Sequence, residues 1–341
     1  METIKRITAN IKKFLVLYSV LAIIIGWSLG VKYSAYASSH KSIYSNLIVL
    51  FVFFMIYPMM INMDWREVKR VVKEPKAVLL SIFYNYIMTP LIAYFLAKVF
   101  IHNTELALGF MLVMMIPVSS SSVGYTGIVK GSVEVAMISQ AFNFLLIPIL
   151  TPIYLNFVAR GSNIHVPMNS IFKSILIVVI FPMIFGYITR WLIVKSKGEK
   201  GLKKIKPLTG LMTLISMLFV IFFIFFLKGN MLLAKWQILI QLGIITLIYI
   251  VLALLLETFI NKKAGLNYKE HMGIIFLSTG KNNGTAVAIA TMAFGPLVAI
   301  PAAVLPIFQI ILLIVYIHME NLIRKYFNKK HYHHNIVREE E

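Results

Sequence analysis

Ten apolar stretches, each close to twenty residues long, recur along this chain of 341 residues. They cover roughly 14–31, 43–61, 77–100, 106–128, 134–158, 170–194, 207–228, 236–260, 272–293 and 297–319. A helix needs about 20 apolar residues to cross a bilayer core about 30 Å thick. Composition agrees with that reading. The chain is 59% hydrophobic and 13% charged, with mean hydropathy +0.83, whereas a soluble domain is about 25% charged. The 24 Phe and 16 Tyr exclude a disordered chain. With no Cys, disulfide scaffolds, thiolate metal sites and Cys nucleophiles are excluded. The expected fold class is an all-α polytopic membrane protein with ten transmembrane helices.

A net charge of +20 could suggest a nucleic-acid partner, but its placement argues otherwise. Nearly all of the 33 Lys and Arg lie in the short gaps between apolar runs, where they face a lipid surface. The expected partners are therefore the lipid bilayer and a small-molecule solute, with no nucleic acid. With the N-terminus inside, 25 basic residues fall on inner segments and 7 on outer ones. The positive-inside rule then predicts an integral protein of the plasma (cell) membrane with both termini cytoplasmic. The first run follows Lys5, Arg6, Lys12 and Lys13 and lacks a small-residue cleavage site, so it reads as a retained span. One basic residue belongs to no loop: Lys281, inside the ninth run.

The spans repeat with an offset of about 160 residues: the first and sixth, the third and eighth, and the fifth and tenth start that far apart. A set of five is odd, so the second set enters from the opposite face, giving an inverted repeat as in many secondary transporters. The division is 1–160 for the first repeat, 161–322 for the second and 323–341 for a cytoplasmic tail. Two equivalent spans carry helix breakers at depth. The fourth contains Pro117, Ser119, Ser120, Ser121, Ser122, Gly124 and Gly127, and the ninth contains Ser278, Thr279, Gly280, Lys281, Asn282, Asn283, Gly284 and Thr285. Unwound backbone within a bilayer needs protein or water partners, so broken crossing helices 4 and 9 are expected to satisfy each other and frame a solute site.

Each feature also has a plainer reading. Serines allow close helix packing and bond their own helix backbone. A lysine near a helix end can snorkel to the headgroups. The central position of Lys281 between polar neighbours favours a functional charge, which costs about 2.5–3.5 kcal/mol at a helix centre on insertion scales. No acidic partner is evident, since Glu134 and Glu257 both lie near helix ends. Gln140 and Asn143 in the fifth span either join the site or glue helices together, and Asn85 with Pro90 in the third reads the same way. Asp64 sits in a basic loop, where local salt bridging is expected. His331, His333 and His334 read as a solvated tail. No catalytic constellation, metal site, dinucleotide fingerprint or phosphate loop is present, so no enzyme and no cofactor is expected.

The segment from Pro117 through Lys130-Gly131 to Pro148-Ile149-Leu150-Thr151-Pro152, with Ser278 to Asn283, resembles the bile acid:sodium symporter family and its arsenite-efflux relatives. Tyr57-Pro58-Met59-Met60 and Asn85 through Pro90 look more like the arsenite permeases. The resemblance implies a panel of the first, second, sixth and seventh spans, and a core of the rest, with a substrate cleft between them. It also implies sodium sites on the fourth and fifth spans and on a crossing Glu. Here Ser122 matches one family Ser, but Val123 replaces an Asn, Ala136 and Gln140 replace a Ser and a Thr, and Ser278 replaces the crossing Glu. The Cys of the arsenite permeases is Val118. Those departures leave H+ or Na+ as the coupling ion, with Lys281 standing in for a bound cation.

The function expected from the sequence is secondary-active transport of a small anionic or polar solute by alternating access. Its site comprises Pro117, Ser119, Ser120, Ser121, Ser122, Gln140, Asn143, Ser278, Thr279, Gly280, Lys281, Asn282, Asn283 and Thr285. Alternatives are an arsenite or antimonite efflux permease and, in another class, a membrane channel or sensor. Sequence leaves the oligomeric state open.

Overall fold

A computed structural model describes residues 2–63, 75–117, 122–160, 168–234 and 236–336. Among the described residues the chain is helical throughout and contains no strand. In order the helices are α1 (Glu2–Lys13), α2 (Leu15–Lys32), α3 (Ser34–Ser39), α4 (Lys41–Asn62), α5 (Pro75–Phe83) and α6 (Thr89–Phe100). Next come α7 (Thr104–Met115), α8 (Ser122–Ile128), α9 (Val133–Arg160), α10 (Met168–Ile175) and α11 (Phe181–Ala234). The chain continues with α12 (Gln237–Lys263), α13 (Tyr268–Thr279), α14 (Asn283–Ala293), α15 (Ile300–His318) and α16 (Glu320–Ile336).

Seven helical segments are long and apolar enough to cross a membrane. Eight of the ten apolar runs fall on these seven segments, and the fourth and ninth fall on none of them. The fourth run splits into α7 and α8, and the ninth into α13 and α14, each piece too short to span alone. The sixth and seventh runs are joined in one helical segment, Met168–Ala234. A straight helix of that length would extend about 100 Å. It is interrupted at Gly198, whose φ of 61° and ψ of −170° leave the helical region.

Two wide π-helical turns, Tyr84–Met88 and Leu176–Ile180, interrupt otherwise continuous helices. Each precedes a proline, Pro90 or Pro182. A proline ring clashes with the carbonyl four residues earlier, and widening the turn relieves that clash. The first turn rotates Tyr84, Asn85 and Tyr86 into the interior, where all three are buried.

Packing is that of a membrane protein. Large apolar side chains such as Ile24, Leu79, Val99, Ile149 and Leu255 point outward and are exposed, as lipid-facing residues are and as a water-facing surface of this extent is not. Helix α11 packs along both α2 and α4. On α2 the contact face is Gly26 and Gly30, set directly against the backbone of Phe222 and Phe226 on α11. Small residues four apart allow such close approach where no hydrophobic force draws helices together. Helix α14 packs against α4 and α10, placing the second half of the broken ninth span beside this group.

Candidate functional site

The two broken spans meet. Helix α7 ends in an extended Ile116 (φ −98°, ψ 96°) followed by buried Pro117. Helix α13 begins with a capping box, in which Asn267 accepts from the backbone of Glu270 and the Glu270 carboxylate accepts from the backbone of Asn267. It ends at an extended Gly280. Asn282 then caps α14, its Oδ1 accepting from the Thr285 N–H at 3.1 Å. The Asn282 N–H donates to the Ile116 carbonyl at 3.0 Å, so one break directly satisfies the other. The Lys281 N–H donates to Gln309 Oε1 on α15 at 3.1 Å. Ser122 and Thr126 on α8 donate their hydroxyls to the carbonyls of Phe276 and Met272 on α13, at 2.6 and 3.0 Å. Every contact here supplies a partner that lipid could not.

Lys281 is 0% exposed. Its ammonium donates to Thr89 Oγ1 at 2.8 Å and to Asn85 Oδ1 at 3.2 Å. An ammonium can only donate, so the Asn85 amide must present its oxygen here. Its nitrogen then faces Asn143 Oδ1 at 3.2 Å. Asn143 in turn donates to Ser81 Oγ and to the Ser139 carbonyl, both at 2.8 Å, and its own carbonyl accepts from the Tyr86 hydroxyl at 2.6 Å. Asn143 is thus the residue that orients Asn85 toward the lysine. Asn143→Ala is expected to leave the Asn85 amide donor unpaired and to lower stability by about 1–3 kcal/mol. Thermal unfolding of the purified protein in detergent would measure the loss, and an unchanged transition would contradict this role.

Behind the break lies a carboxylate. Glu257 on α12 is 0% exposed, accepts a hydrogen bond from the Ser278 hydroxyl, and has no partner for its Oε1 among the described residues. Glu257 and Lys281 attract one another but do not touch. One turn further along α12, Asn261 bonds the Tyr84 hydroxyl at 2.7 Å and His271 Nδ1 at 2.9 Å. His271 Nε2 bonds the Tyr316 hydroxyl at 2.9 Å, and Tyr316 bonds Thr258 at 2.7 Å. Because the Asn261 amide nitrogen donates, His271 accepts at Nδ1 and carries its hydrogen on Nε2.

The structure brings Ser122, Asn143, Ser278, Gly280, Lys281, Asn282 and Asn283 into or against this crossing. A Cβ on Gly280 would lie 2.8 Å from Ser122 Oγ, so the two spans touch there. Asn283 Nδ2 donates to Gln309 at 3.4 Å, while Asn283 Oδ1 and Thr285 Oγ1 have no partner. Thr279 bonds only the Ile275 carbonyl of its own helix. No hydrogen bond ties Gln140 to the cluster. Ser119, Ser120 and Ser121 lie outside the described residues, as does Asp64. Thr89, Gln309 and His271 belong to the network and were missed from sequence, and Glu257, read there as a helix-end residue, belongs to it as well. Among the described residues no group of three or more His, Asp or Glu could hold a metal ion.

Membrane-spanning helices, two of them broken and bonded to each other around a buried charge, define an integral membrane transport protein rather than an enzyme. The chain belongs to the Sodium Bile acid symporter family, whose sequence model matches residues 49–235. It is 25% identical over 265 residues to YocS of Bacillus subtilis, described as an uncharacterized sodium-dependent transporter; the match covers 78% of this chain and 80% of that one. The uncharacterized transporter slr0944 of Synechocystis is 28% identical over 213 residues, 55% and 56% of the two chains. The arsenical-resistance protein Acr3 of Alkaliphilus metalliredigens is 26% identical over 163 residues, 44% and 45% of the two chains. The protein is a membrane transporter of the bile acid:sodium symporter kind.

Proposed function

We propose that this transporter moves a small anionic or polar solute by alternating access, using Lys281 as a built-in cation where its relatives bind a free one. The observation that carries the proposal is the buried ammonium of Lys281, held by Asn85 and Thr89 at the point where the two broken spans bond. A fixed positive charge with only neutral oxygens in contact is a docking point for an anion. Pro117, Ser122, Gly280, Lys281, Asn282, Asn283 and Thr285 form the site, and Asn143 positions it through Asn85. The scaffold reads as ten spans in two inverted sets of five (1–160 and 161–322), in a plasma membrane with both termini cytoplasmic. The Met168–Ala234 segment counts as two spans turning at Gly198. Solute passes as the helices around the crossing move against the group formed by α2, α4 and α11.

The test is uptake into proteoliposomes with sodium and pH gradients imposed separately, using a labelled bile salt and arsenite as probes. Sodium alone is expected not to drive uptake, and Lys281→Glu is expected to change the ion dependence. Uptake driven by sodium alone and unaffected by that substitution would sink the role given to Lys281. Movement of arsenite but not bile salt would favour the efflux reading, which the likeness to the arsenical-resistance protein supports.

A further inference from the structure

We propose that Glu257 is the proton-binding group of this transporter: its carboxylate, seated against Ser278 at the broken ninth span, takes up and releases the coupled proton, while Lys281 keeps its charge throughout. The inference rests on the transport reading above and fixes its coupling ion as H+ and its solute as an anion.

Ser278 is placed to serve both forms of the carboxyl. Its Oγ is hydrogen-bonded to Glu257 and lies 3.2 Å from the carbonyls of both Ile274 and Ile275. With the proton on Glu257, the carboxyl O–H donates to Ser278 Oγ, and the serine hydrogen turns to one of those carbonyls. With the proton gone, the serine hydrogen turns back to the carboxylate. One hydroxyl rotation accommodates the change and no heavy atom has to move. The second carboxyl oxygen, Oε1, is buried with no partner among the described residues and is open to a proton. An ionised carboxylate so poorly partnered is costly at this depth, and proton uptake removes that cost. A hard cation is held by a set of several oxygens, and among the described residues Glu257 has one hydroxyl hydrogen-bonded to it.

The groups facing Glu257 leave it as the one that exchanges. Lys281 lies beyond Ser278 and, among the described residues, is the charge that acts on it. Tyr84 faces it from the widened turn, Tyr249 from its own helix and Tyr316 from α15, all neutral phenols. From α6, Thr89 is engaged with Lys281. His271 on α13 is held neutral between Asn261 and Tyr316. The chain Tyr84, Asn261, His271, Tyr316 and Thr258 begins one helical turn from Glu257. At its middle the His271 ring stacks on Phe327 of α16, centroids 4.5 Å apart. It places exchangeable hydrogens beside the site.

The charge arithmetic sets the coupling. With the proton bound, Lys281 and Glu257 together carry +1 and attract an anion; with it released they carry zero and the attraction fades. Anion and proton therefore bind cooperatively and travel together, and linkage requires each to raise the affinity of the other equally.

Infrared difference spectroscopy of the full chain in phosphatidylcholine liposomes, titrated with pH and without solute, tests the assignment. The carbonyl band of one buried protonated carboxyl is expected to titrate in the parent. It is expected to vanish in Glu257→Gln, to shift in Ser278→Ala and to persist in Glu105→Gln, which alters an exposed residue. A titrating band that survives Glu257→Gln, or the absence of any such band, overturns the proposal. Displacement of the proton by sodium chloride but not choline chloride at fixed pH also overturns it. If Glu257→Gln does not fold, the Ser278→Ala shift decides alone, with no shift counting against it. The band belongs to the protein without solute, so it stands or falls separately from the uptake measurements.

Discussion

Replacing Lys281 with methionine is expected to abolish anion uptake while leaving a folded protein. Methionine fills nearly the same volume, and of the polar groups left behind Thr89 and the Asn85 amide nitrogen keep partners while Asn85 Oδ1 loses the ammonium. Asn85 still bonds Asn143, and Thr89 Oγ1 lies 3.4 Å from the carbonyls of Asn85 and Met114. What disappears is the positive charge. An anion about 4 Å from an ammonium gains about 4 kcal/mol at an effective dielectric near 20, and each 1.4 kcal/mol is tenfold in affinity. Uptake of an anionic probe at subsaturating concentration is therefore expected to fall about 100- to 1,000-fold. The same substitution removes the attraction between Lys281 and Glu257. In the double variant Lys281→Met/Glu257→Gln, stability is expected to exceed the sum of the two single effects by about 0.5–3 kcal/mol, the range for coupled neighbours. Uptake of an anion at the parental rate by Lys281→Met would rule out the charge as the docking point.

Lys281 was legible in the sequence because a lone lysine followed by two asparagines in an apolar run has no loop to belong to. Its setting was not legible. Asn85 looked like an amide that glues helices, and only the widened turn before Pro90 shows that it faces inward with Thr89 one turn away. Glu257 lies six residues before the end of α12, next to Lys262 and Lys263, and so reads as a helix-end residue. Its burial depends on α13 packing alongside, which no local pattern encodes. His271 was hidden for the same reason: it follows the turn at Asn267 by only four residues, yet Tyr316 and Phe327 from distant segments enclose it. The breaks themselves were announced by Pro117, Gly280 and the asparagines after it. The join between the sixth and seventh apolar runs was not, because Lys195 to Lys206 is rich in good helix formers and only Gly198 departs from helical geometry. The expected loose tail begins as a docked helix, with Lys262 Nζ donating to the Phe327 carbonyl at 2.6 Å.

Gly30→Leu is expected to cause the largest loss of stability of any single substitution on α2. This helix fully buries only Ser19, Gly26 and Gly30, with Ala22, Ile23 and Trp27 half-buried against the core, so close backbone contact carries much of its attachment. A Cβ at Gly30 would overlap the Phe226 carbonyl oxygen and lie 2.9 Å from Phe226 C and Cα. Backbone cannot swing aside as a side-chain tip can, so α2 and α11 must separate. Separation would also break the Trp27 Nε1 bond to the Gly229 carbonyl, now 3.0 Å, and open the contact between Gly30 and Gly229. Overpacking costs about 1–3 kcal/mol or more, the lost bond about 1 kcal/mol, and in lipid no hydrophobic force pulls the pair back together. The yield of monodisperse protein in detergent and its thermal transition should both fall sharply. Gly124→Ala on α8 is the control: nothing lies within 4 Å of the added carbon, and alanine favours the helix. A Gly30→Leu variant as stable as the parent would show that α2 is held by contacts other than this glycine face. The proposed movement of the crossing helices against α2, α4 and α11 would then lose its physical basis at this helix pair.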